Sequence, residues 1–201
     1  MYICIEGNIG AGKTTLAKEL ARQLKAEYLP ERFEENVLLP LFYADQKTFA
    51  FPTEYSFLID RHKQLFNYFE KPQNGVTIAD FHFDKCLCFA KANLRAGDFT
   101  FYKKHFAALK ETLPVPQLIV YLETSTDLLM KNIRKRGRGV EKGLKESYLQ
   151  RIQKSFDKYY LAKKRSGATV LHLYMDRYDK ASLAASCKRI VNTLKEISTN
   201  R

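Results

Sequence analysis

Residues 1–20 read MYICIEGNIGAGKTTLAKEL, and this stretch decides the fold. Residues 2–6 form the short, mainly apolar run typical of a buried strand. Residues 7–14, GNIGAGKT, match the pattern G-x-x-x-x-G-K-[ST] in full. Apolar residues then recur at helical spacing from Leu16 to Leu24. A glycine-rich turn between a strand and a helix is the context in which this pattern binds phosphate groups.

The physical reason for this pattern is the close approach of the backbone to a polyanion, which larger side chains would obstruct. Backbone N–H groups and the positive end of the following helix then attract the phosphates. We expect Lys13 to reach the terminal phosphates and the Thr14 hydroxyl to bind Mg²⁺. The pattern predicts a bound nucleoside triphosphate with Mg²⁺ on residues Gly7, Asn8, Gly10, Ala11, Gly12, Lys13, Thr14 and Thr15. Kinases, GTPases and motor ATPases share this loop, but no N-K-x-D guanine-binding motif occurs, so ATP is the expected nucleotide.

Composition favours an ordinary globular protein, with 201 residues, 45% hydrophobic residues and a formal net charge of +12. We expect one domain over residues 1–201, a cytoplasmic location and no membrane partner, because no apolar run approaches bilayer length. The four cysteines and four histidines form neither a disulfide framework nor a zinc pattern, so we expect buried, reduced thiols. Six of the 34 basic residues lie within residues 131–142, so the charge fits a local anion site as well as a nucleic-acid surface.

Apolar patterns along the chain alternate between strand and helix. Strands are predicted at residues 2–6, 27–29, 76–80, 118–122 and 170–174. Helices are predicted near residues 33–43, 51–69, 83–94, 100–113, 125–136, 149–159 and 183–197, and Pro52-Thr53-Glu54 is the expected start signal of the second. Strands that are apolar on both faces indicate a parallel sheet covered on both sides. The predicted fold is therefore an α/β three-layer sandwich with a five-stranded parallel sheet flanked by helices.

Two carboxylates follow predicted strands, where ligands bind in open α/β sheets. Glu31 comes directly after the second strand, and Asp80 ends the third. Phosphoryl transfer to a hydroxyl needs a carboxylate near that hydroxyl and acidic help in holding the metal. Glu31 suits the first role and Asp80 the second, although each residue also fits a solvated loop acid or a helix cap.

An arginine-rich segment over residues 134–142 reads RKRGRGVEK, with glycines that allow it to bend. Arginine suits the charge that develops on a transferring phosphoryl group, and a closing lid would exclude water. A solvated helix end is the alternative interpretation. The aromatic-rich residues 43–55 suit a flat, hydrogen-bonding ring, but the pattern alone fits a core helix better.

Taken together, these segments resemble the deoxynucleoside kinase family, which includes deoxycytidine, deoxyguanosine and deoxyadenosine kinases. The resemblance runs from Ile3 to about Phe156 through IEGNIGAGKTTL, the Pro30-Glu31 pair, FYADQKTFAFPTEYSFL, Asp80 and LIVYLETSTDLLMKNIRKRGR. It implies ATP- and Mg²⁺-dependent phosphorylation of the 5′-hydroxyl of a deoxynucleoside, and a homodimer packed through helices. Nucleic acid is not an expected partner.

The resemblance also implies roles for individual residues. Glu31 takes the proton of the 5′-hydroxyl, and Tyr43 and Glu141 hold the 3′-hydroxyl. Arg134, Arg136 and Arg138 lie in a lid that contacts the ATP phosphates, and Arg134, Lys13 and Asp80 join Glu31 as catalytic residues. The sites predicted to bind the substrate are Glu31, Tyr43, Glu54, Arg61, Asp80 and Glu141; those predicted to bind the metal are Thr14 and Asp80.

Two positions depart from the family pattern. Relatives often carry an arginine after the acid that closes the third strand, but this chain has Phe81, and Arg61 is a candidate replacement. Glu54 stands where many relatives have glutamine. An ionised carboxylate only accepts hydrogen bonds, which favours a purine with donors such as guanine. The alternative is that Glu54 pairs with Arg61, seven residues further along the same helix.

Two other functions remain open at this stage. A nucleoside monophosphate kinase of the thymidylate-kinase type shares the phosphate loop, but it needs extra cations for an acceptor phosphate. A basic, non-kinase ATPase that binds nucleic acid is the second alternative, and it predicts steep salt dependence of binding.

Overall fold

A computed structural model describes residues 1–199 of the chain. Within these residues the backbone forms five strands and eight α-helices. The strands are β1 (Tyr2–Gly7), β2 (Glu27–Leu29), β3 (Thr77–Ala79), β4 (Leu118–Thr124) and β5 (Val170–Met175). The helices are α1 (Lys13–Leu24), α2 (Leu39–Ala44), α3 (Gln46–Phe69), α4 (Lys85–Asn93), α5 (Ala96–Lys110), α6 (Thr126–Arg136), α7 (Glu146–Arg165) and α8 (Lys180–Thr199).

The strands form one sheet in the order β2-β3-β1-β4-β5, and every neighbouring pair is parallel. Every residue of β1 and β3 is buried, as expected for strands covered on both faces. Helices α1 and α8 pack together on one side, while α4 and α7 pack together on the other. From β1 the chain moves to β2 at one edge of the sheet and then crosses back toward β5 at the other edge. Right-handed crossovers in these two opposite directions cover opposite faces, which explains the division. The predicted five-stranded, helix-flanked parallel sheet is confirmed.

Two predicted helix boundaries are wrong. The continuous helix at residues 33–43 is instead a 3₁₀ turn (Phe33–Glu35) followed by α2. Between them the Asn36 side chain accepts a hydrogen bond from the Leu38 N–H at 3.0 Å, which competes with helical bonding. Helix α3 does not start at Pro52 but at Gln46. There Asp45 caps the helix by accepting bonds from the N–H groups two and three residues later, both at 3.1 Å.

The cysteine prediction is confirmed, because Cys4, Cys86, Cys88 and Cys187 are all free and buried. In the part of the chain that the structure describes, no cluster of three or more histidine, cysteine or acidic side chains is arranged to hold a metal ion. None of the helices in residues 1–199 has the length and hydropathy needed to cross a membrane.

Candidate active site

The phosphate loop connects the carboxyl end of β1 to the first turn of α1. Gly10 and Gly12 have φ values of 81° and 83°, which residues with a Cβ rarely adopt. A Cβ on Gly10 would also lie 2.8 Å from the carbonyl oxygen of Leu129. The backbone conformation therefore requires both glycines, and the close packing of the loop on α6 also requires Gly10.

Two asparagines hold this loop in place from outside. Asn8 is buried, and its Nδ2 donates to the Leu149 carbonyl at 2.9 Å and to Gln153 Oε1 at 3.0 Å, both on α7. Asn132 Nδ2, on α6, donates to the Gly10 carbonyl at 2.8 Å. The Asn8 side chain thus anchors the loop, so any contact of this residue with a nucleotide would come from its backbone.

Lys13 folds over the loop, where its Nζ donates to the carbonyl oxygens of Gly7 and Asn8, each at 2.9 Å. Burial, and then the nearby charge of Lys85, lower the pKa of Lys13 to about 8. The side chain therefore carries a positive charge at neutral pH and lies against the loop that the motif assigns to phosphates.

Asp80 connects the phosphate loop to the segment after β2. Its Oδ2 accepts hydrogen bonds from the Thr14 hydroxyl at 2.6 Å and the Tyr28 hydroxyl at 2.7 Å, and its Oδ1 accepts from the Glu31 N–H at 2.8 Å. The Thr14 hydroxyl and the Asp80 carboxylate are hard oxygen ligands of the type that Mg²⁺ prefers. Mg²⁺ usually keeps several water and phosphate ligands, so a site with few protein oxygens fits this ion.

Glu31 is held between two cations. Its Oε1 accepts from Arg61 Nε at 2.8 Å, and its Oε2 accepts from Lys85 Nζ at 2.7 Å. Burial alone would raise the pKa of Glu31, but the charges of Lys85 and Arg61 outweigh it and bring the pKa to about 2. Glu31 is consequently a fixed carboxylate at every pH near neutrality.

Lys85 and Glu6 are members of this cluster that sequence reasoning missed. Lys85 Nζ also lies 3.7 Å from Glu6 Oε1, and both side chains are almost fully buried. Glu6 accepts from the Gly7 N–H at 2.9 Å and from the His82 N–H at 2.8 Å, which joins the ends of β1 and β3. A lysine within the mainly apolar stretch FDKCLCFA was the available signal. Relatives often carry an arginine at the position of Phe81. In this chain Arg61 and Lys85 supply the positive charge next to Glu31 instead.

A cavity of about 510 Å³ extends from the phosphate loop past Glu31 to the side of α3 that carries Glu54 and Phe57. It brings together side chains from five separate segments of the chain. Its lining includes Gly10, Lys13, Thr14, Glu31, Tyr43, Glu54, Phe57, Arg61, Asp80, Lys85, Phe89, Arg136, Arg138, Glu141 and Tyr148.

Glu54 contributes a buried carboxyl group to this cavity. Its Oε1 accepts from Asn93 Nδ2 at 2.7 Å, and its Oε2 has no hydrogen-bond partner in the structure. The suggested pairing of Glu54 with Arg61 is wrong, because Arg61 binds Glu31 instead. The structure therefore leaves Oε2 of Glu54 buried without a partner, while Oε1, which can accept two hydrogen bonds, accepts one from Asn93.

The arginine-rich segment contributes two side chains to the cavity. Arg136 Nη2 binds both carboxylate oxygens of the buried Glu141, at 2.6 and 2.7 Å. Arg138 Nε lies 3.0 Å from Glu34 Oε1, which connects this segment to the 3₁₀ turn after β2. Arg134 is exposed on α6 and is not part of the cavity lining, so its catalytic role remains a prediction.

Tyr43 lies beside Glu141 at the cavity wall and is packed edge-on against Tyr148, with ring centroids 6.4 Å apart. Burial, and then the charge of Glu141, raise the pKa of the Tyr43 hydroxyl. A neutral phenol beside a carboxylate provides one donor and one acceptor, which suits the binding of a sugar hydroxyl.

Comparison with known proteins agrees with this geometry. A family model described as "Deoxynucleoside kinase" matches residues 3–198. The deoxyguanosine kinase of Bacillus subtilis is 38% identical over 159 residues, which cover 78% of this chain and 76% of that protein. The deoxyadenosine/deoxycytidine kinase of the same organism is 27% identical over 97% of this chain and 92% of that protein.

A solved structure of deoxyadenosine kinase from M. mycoides with bound dATP superimposes with a TM-score of 0.81 at 25% identity, over 97% of this chain and all of that chain. The family match, the curated relatives and this shared fold lead to one conclusion. This chain belongs to the deoxynucleoside kinase family, and it is a phosphotransferase whose acceptor is a deoxynucleoside.

Proposed function

We propose that the enzyme transfers the γ-phosphoryl group of Mg·ATP to the 5′-hydroxyl of a purine deoxynucleoside, giving the 5′-monophosphate and ADP. One observation carries the proposal. A buried carboxylate, Glu31, and a phosphate loop with its lysine line the same cavity, and Asp80 connects them through hydrogen bonds to Thr14 and to the Glu31 backbone.

On the donor side, the phosphate loop and Lys13 bind the triphosphate, and Arg136 and Arg138 approach it from the lid. Thr14 and Asp80 hold Mg²⁺, which when bound neutralises charge on the phosphate oxygens. The role of the chain is positioning and electrostatic stabilisation, because phosphoryl transfer requires little covalent chemistry from the protein.

On the acceptor side, Glu31 accepts a hydrogen bond from the 5′-hydroxyl and directs its oxygen toward the γ-phosphate. A carboxylate with a pKa of about 2 is a weak base. The proton therefore moves late, after the hydroxyl oxygen has begun to bond to phosphorus and has become acidic. Arg61 and Lys85 fix both oxygens of Glu31, so little reorganisation precedes the reaction.

The sugar and the base occupy the rest of the cavity. Tyr43 and Glu141 bind the 3′-hydroxyl, and Phe57 and Phe89 provide flat apolar walls for the base. Glu54 contacts the polar edge of the base. A purine is supported by the names of the relatives, since the 38% identical protein is a deoxyguanosine kinase and the M. mycoides protein is a deoxyadenosine kinase.

A monophosphate acceptor is not favoured by this arrangement. An acceptor phosphate needs cations that are free to bind it, but the two cations at this end of the cavity, Arg61 and Lys85, both bind Glu31. Family membership likewise argues against a nucleic-acid-dependent ATPase, and the lid arginines explain much of the local positive charge.

The experiment is product analysis after incubation with Mg·ATP and a panel of deoxynucleosides and deoxynucleoside monophosphates. We expect 5′-monophosphates of purine deoxynucleosides and no diphosphates. Glu31→Gln and Lys13→Ala should each lower kcat by about 100-fold or more. Glu111→Gln, the same chemical change at the exposed end of α5, is the control and should not alter kcat. Full turnover by Glu31→Gln, or a product made only from monophosphates, would contradict the proposal.

We also propose a homodimer formed through helices α3 and α5. Phe51, Tyr55, Phe101 and His105 form an aromatic cluster on these helices, which we call the aromatic face. Phe101 lies at the centre of this aromatic face and is 51% exposed. Such an apolar surface on two long helices is typical of a subunit interface.

A further inference from the structure

Glu54 is the most unusual ionisable group of the cavity. The residue is only 3% exposed, and Asn93 Nδ2 occupies its Oε1 at 2.7 Å. Its Oε2 is buried without a partner, although it belongs to a side chain that lines the cavity. A buried carboxyl oxygen without a partner is costly, so a ligand that supplies the missing hydrogen bond is favoured.

The surroundings of Glu54 do not compensate its negative charge. Among residues 1–199, no ion pair includes Glu54. The charged group that acts on it most directly is Arg61 of the same helix, which is bound to Glu31. The other polar or ionisable groups near it come from the three helices packed on α3 and from α7. They are Tyr43 of α2, Cys86 and Asn93 of α4, Tyr102 of α5 and Tyr148 of α7.

These groups are neutral near pH 7, and only one of them donates a hydrogen bond to the carboxylate. Burial therefore dominates and raises the pKa of Glu54 to about 7, while Asn93 and then Arg61 lower it only in part. Both forms of the side chain are consequently populated at physiological pH.

The two forms present different hydrogen-bonding patterns to a base. The ionised form only accepts, which matches the two adjacent N–H donors of guanine, at N1 and the exocyclic N2. The acid form donates through one oxygen and accepts through the other, which matches the N1 acceptor and the N6 amino group of adenine. A mismatch leaves a buried polar group unpaired in either case, and such mismatches give strong discrimination between substrates.

The geometry points to a specificity switch. Glu54, positioned by Asn93, selects guanine when it is ionised and adenine when it is protonated, so the base preference of the enzyme changes with pH. This inference rests on the proposed phosphorylation of purine deoxynucleosides and adds the means by which the same site distinguishes them.

The first test is the ratio of kcat/KM for deoxyguanosine to that for deoxyadenosine between pH 6 and pH 8. The proton equilibrium changes the ratio of ionised to acid form about 100-fold over this range. We therefore expect the kcat/KM ratio to rise with pH by up to about 100-fold, because kcat/KM rises for deoxyguanosine and falls for deoxyadenosine, each with a midpoint near neutrality. Glu54→Gln, which donates and accepts at every pH, should favour deoxyadenosine and lose the pH dependence. A ratio that stays constant with pH in the unmodified enzyme would overturn the switch while leaving the proposed function intact.

Asn93 provides a second, independent variant. Its hydrogen bond stabilises the ionised form of Glu54, so Asn93→Leu should move the midpoint of the pH profile upward. A purely structural role of Asn93 would change rates without moving this midpoint. Asp60→Asn, an exposed acid on the same helix, is the matched control and should leave both midpoint and ratio unchanged.

A third measurement does not depend on turnover. Titration calorimetry at pH 7 in buffers of different ionisation enthalpy reports the protons exchanged when each nucleoside binds. We expect uptake of about half a proton with deoxyadenosine and release of about half with deoxyguanosine. Both values should vanish in Glu54→Gln. Binding of both nucleosides without proton exchange would refute the switch. A failure of the proposed function is distinguishable, because it would appear as an absence of monophosphate at every pH.

Discussion

Glu31 shows how single residues determine the chemistry of the site. A lone buried carboxyl would be protonated near neutral pH. In that form it would be a poorer hydrogen-bond acceptor for the substrate hydroxyl and could not take up its proton. Arg61 and Lys85 reverse this and keep Glu31 ionised, with a pKa of about 2. Because this pKa lies below the value in the unfolded chain, the pairing contributes stability above about pH 4, and that stability is lost as the pH falls toward 2.

Lys85 is the residue whose replacement tests this account. In Lys85→Met the pKa of Glu31 should rise, because its closest positive charge is gone. We expect kcat to fall on the acid side at a higher pH than in the unmodified enzyme. The free energy of unfolding should fall by about 3–5 kcal/mol, as when one partner of a buried ion pair is removed. Measurement of kcat between pH 4 and 8 and urea unfolding at pH 7 check both results.

The matched control for this prediction is Lys85→Arg, which keeps the charge next to Glu31. It should restore most of the stability and return the acid limb to its original position. An acid limb that stays in place in Lys85→Met would mean that Lys85 does not set the ionisation of Glu31.

Tyr43 and Glu141 lead to a prediction about the sugar. Tyr43→Phe removes the hydroxyl beside the Glu141 carboxylate and keeps the ring packed on Tyr148. We expect kcat/KM for a deoxynucleoside to fall about 10-fold or more, consistent with the loss of a hydrogen bond to a charged network. The value for the matching 2′,3′-dideoxynucleoside should hardly change. An equal loss for both sugars would show that Tyr43 does not contact the 3′-hydroxyl.

Some of these residues could be predicted from the sequence and others could not. Glu31 and Asp80 follow apolar strands, and the ends of parallel strands meet at one edge of a sheet, so their position in the site follows from the pattern. Lys85 and Asn93 have no such signal, because their partners lie 54 and 39 residues away in the chain. Such contacts depend on the packing of α4 against α3 and against the segment after β2, which periodicity does not reveal.

At the scale of elements, the strands were predictable because each is a short apolar run bounded by polar residues. Helix ends were less so, since they depend on individual hydrogen bonds. Proline is favoured in the first turn of a helix, so Pro52 led to the wrong prediction of where α3 begins. Asp45 provides the actual cap. Residue 52 lies two turns inside the helix instead. Asn36 ends the preceding turn in a similar way, by a local side-chain bond.

The cap of α3 gives the prediction at this scale. Asp45→Ala removes the acceptor of two backbone N–H groups, and it should lower the thermal unfolding midpoint by about 2–4 °C at pH 7. A hydrogen bond from the Thr48 side chain, and then these backbone bonds, lower the pKa of Asp45 below its usual value, so the difference should shrink as the pH falls through this pKa. Asp98→Ala in the first turn of α5 serves as the control with the same change of charge. An unchanged midpoint would show that α3 does not depend on this cap.

At the scale of the whole molecule, the strand order β2-β3-β1 assembles the site. It places Glu31 after β2, Asp80 after β3 and the phosphate loop after β1 side by side at one sheet edge. Glu31 and Asp80 are 49 residues apart in sequence, but the backbone N–H of Glu31 donates a hydrogen bond to the Asp80 carboxylate. The sequence alone indicates five strands without their order, so this adjacency became visible only in the structure. Helices cover both faces of the sheet, and α3 and α5 carry the aromatic face.

The aromatic face makes the last prediction, which concerns assembly. In a two-fold symmetric dimer each copy contributes the same surface, so one charged substitution introduces two like charges into the interface. We expect light scattering after gel filtration to give twice the 23.4 kDa chain mass for the unmodified protein and the single chain mass for Phe101→Glu. Val115→Glu, at a residue that is 74% exposed before β4, is the control and should remain dimeric. Far-UV circular dichroism should show an unchanged fold in both variants. A dimer of Phe101→Glu with undiminished stability on dilution would place the subunit interface elsewhere.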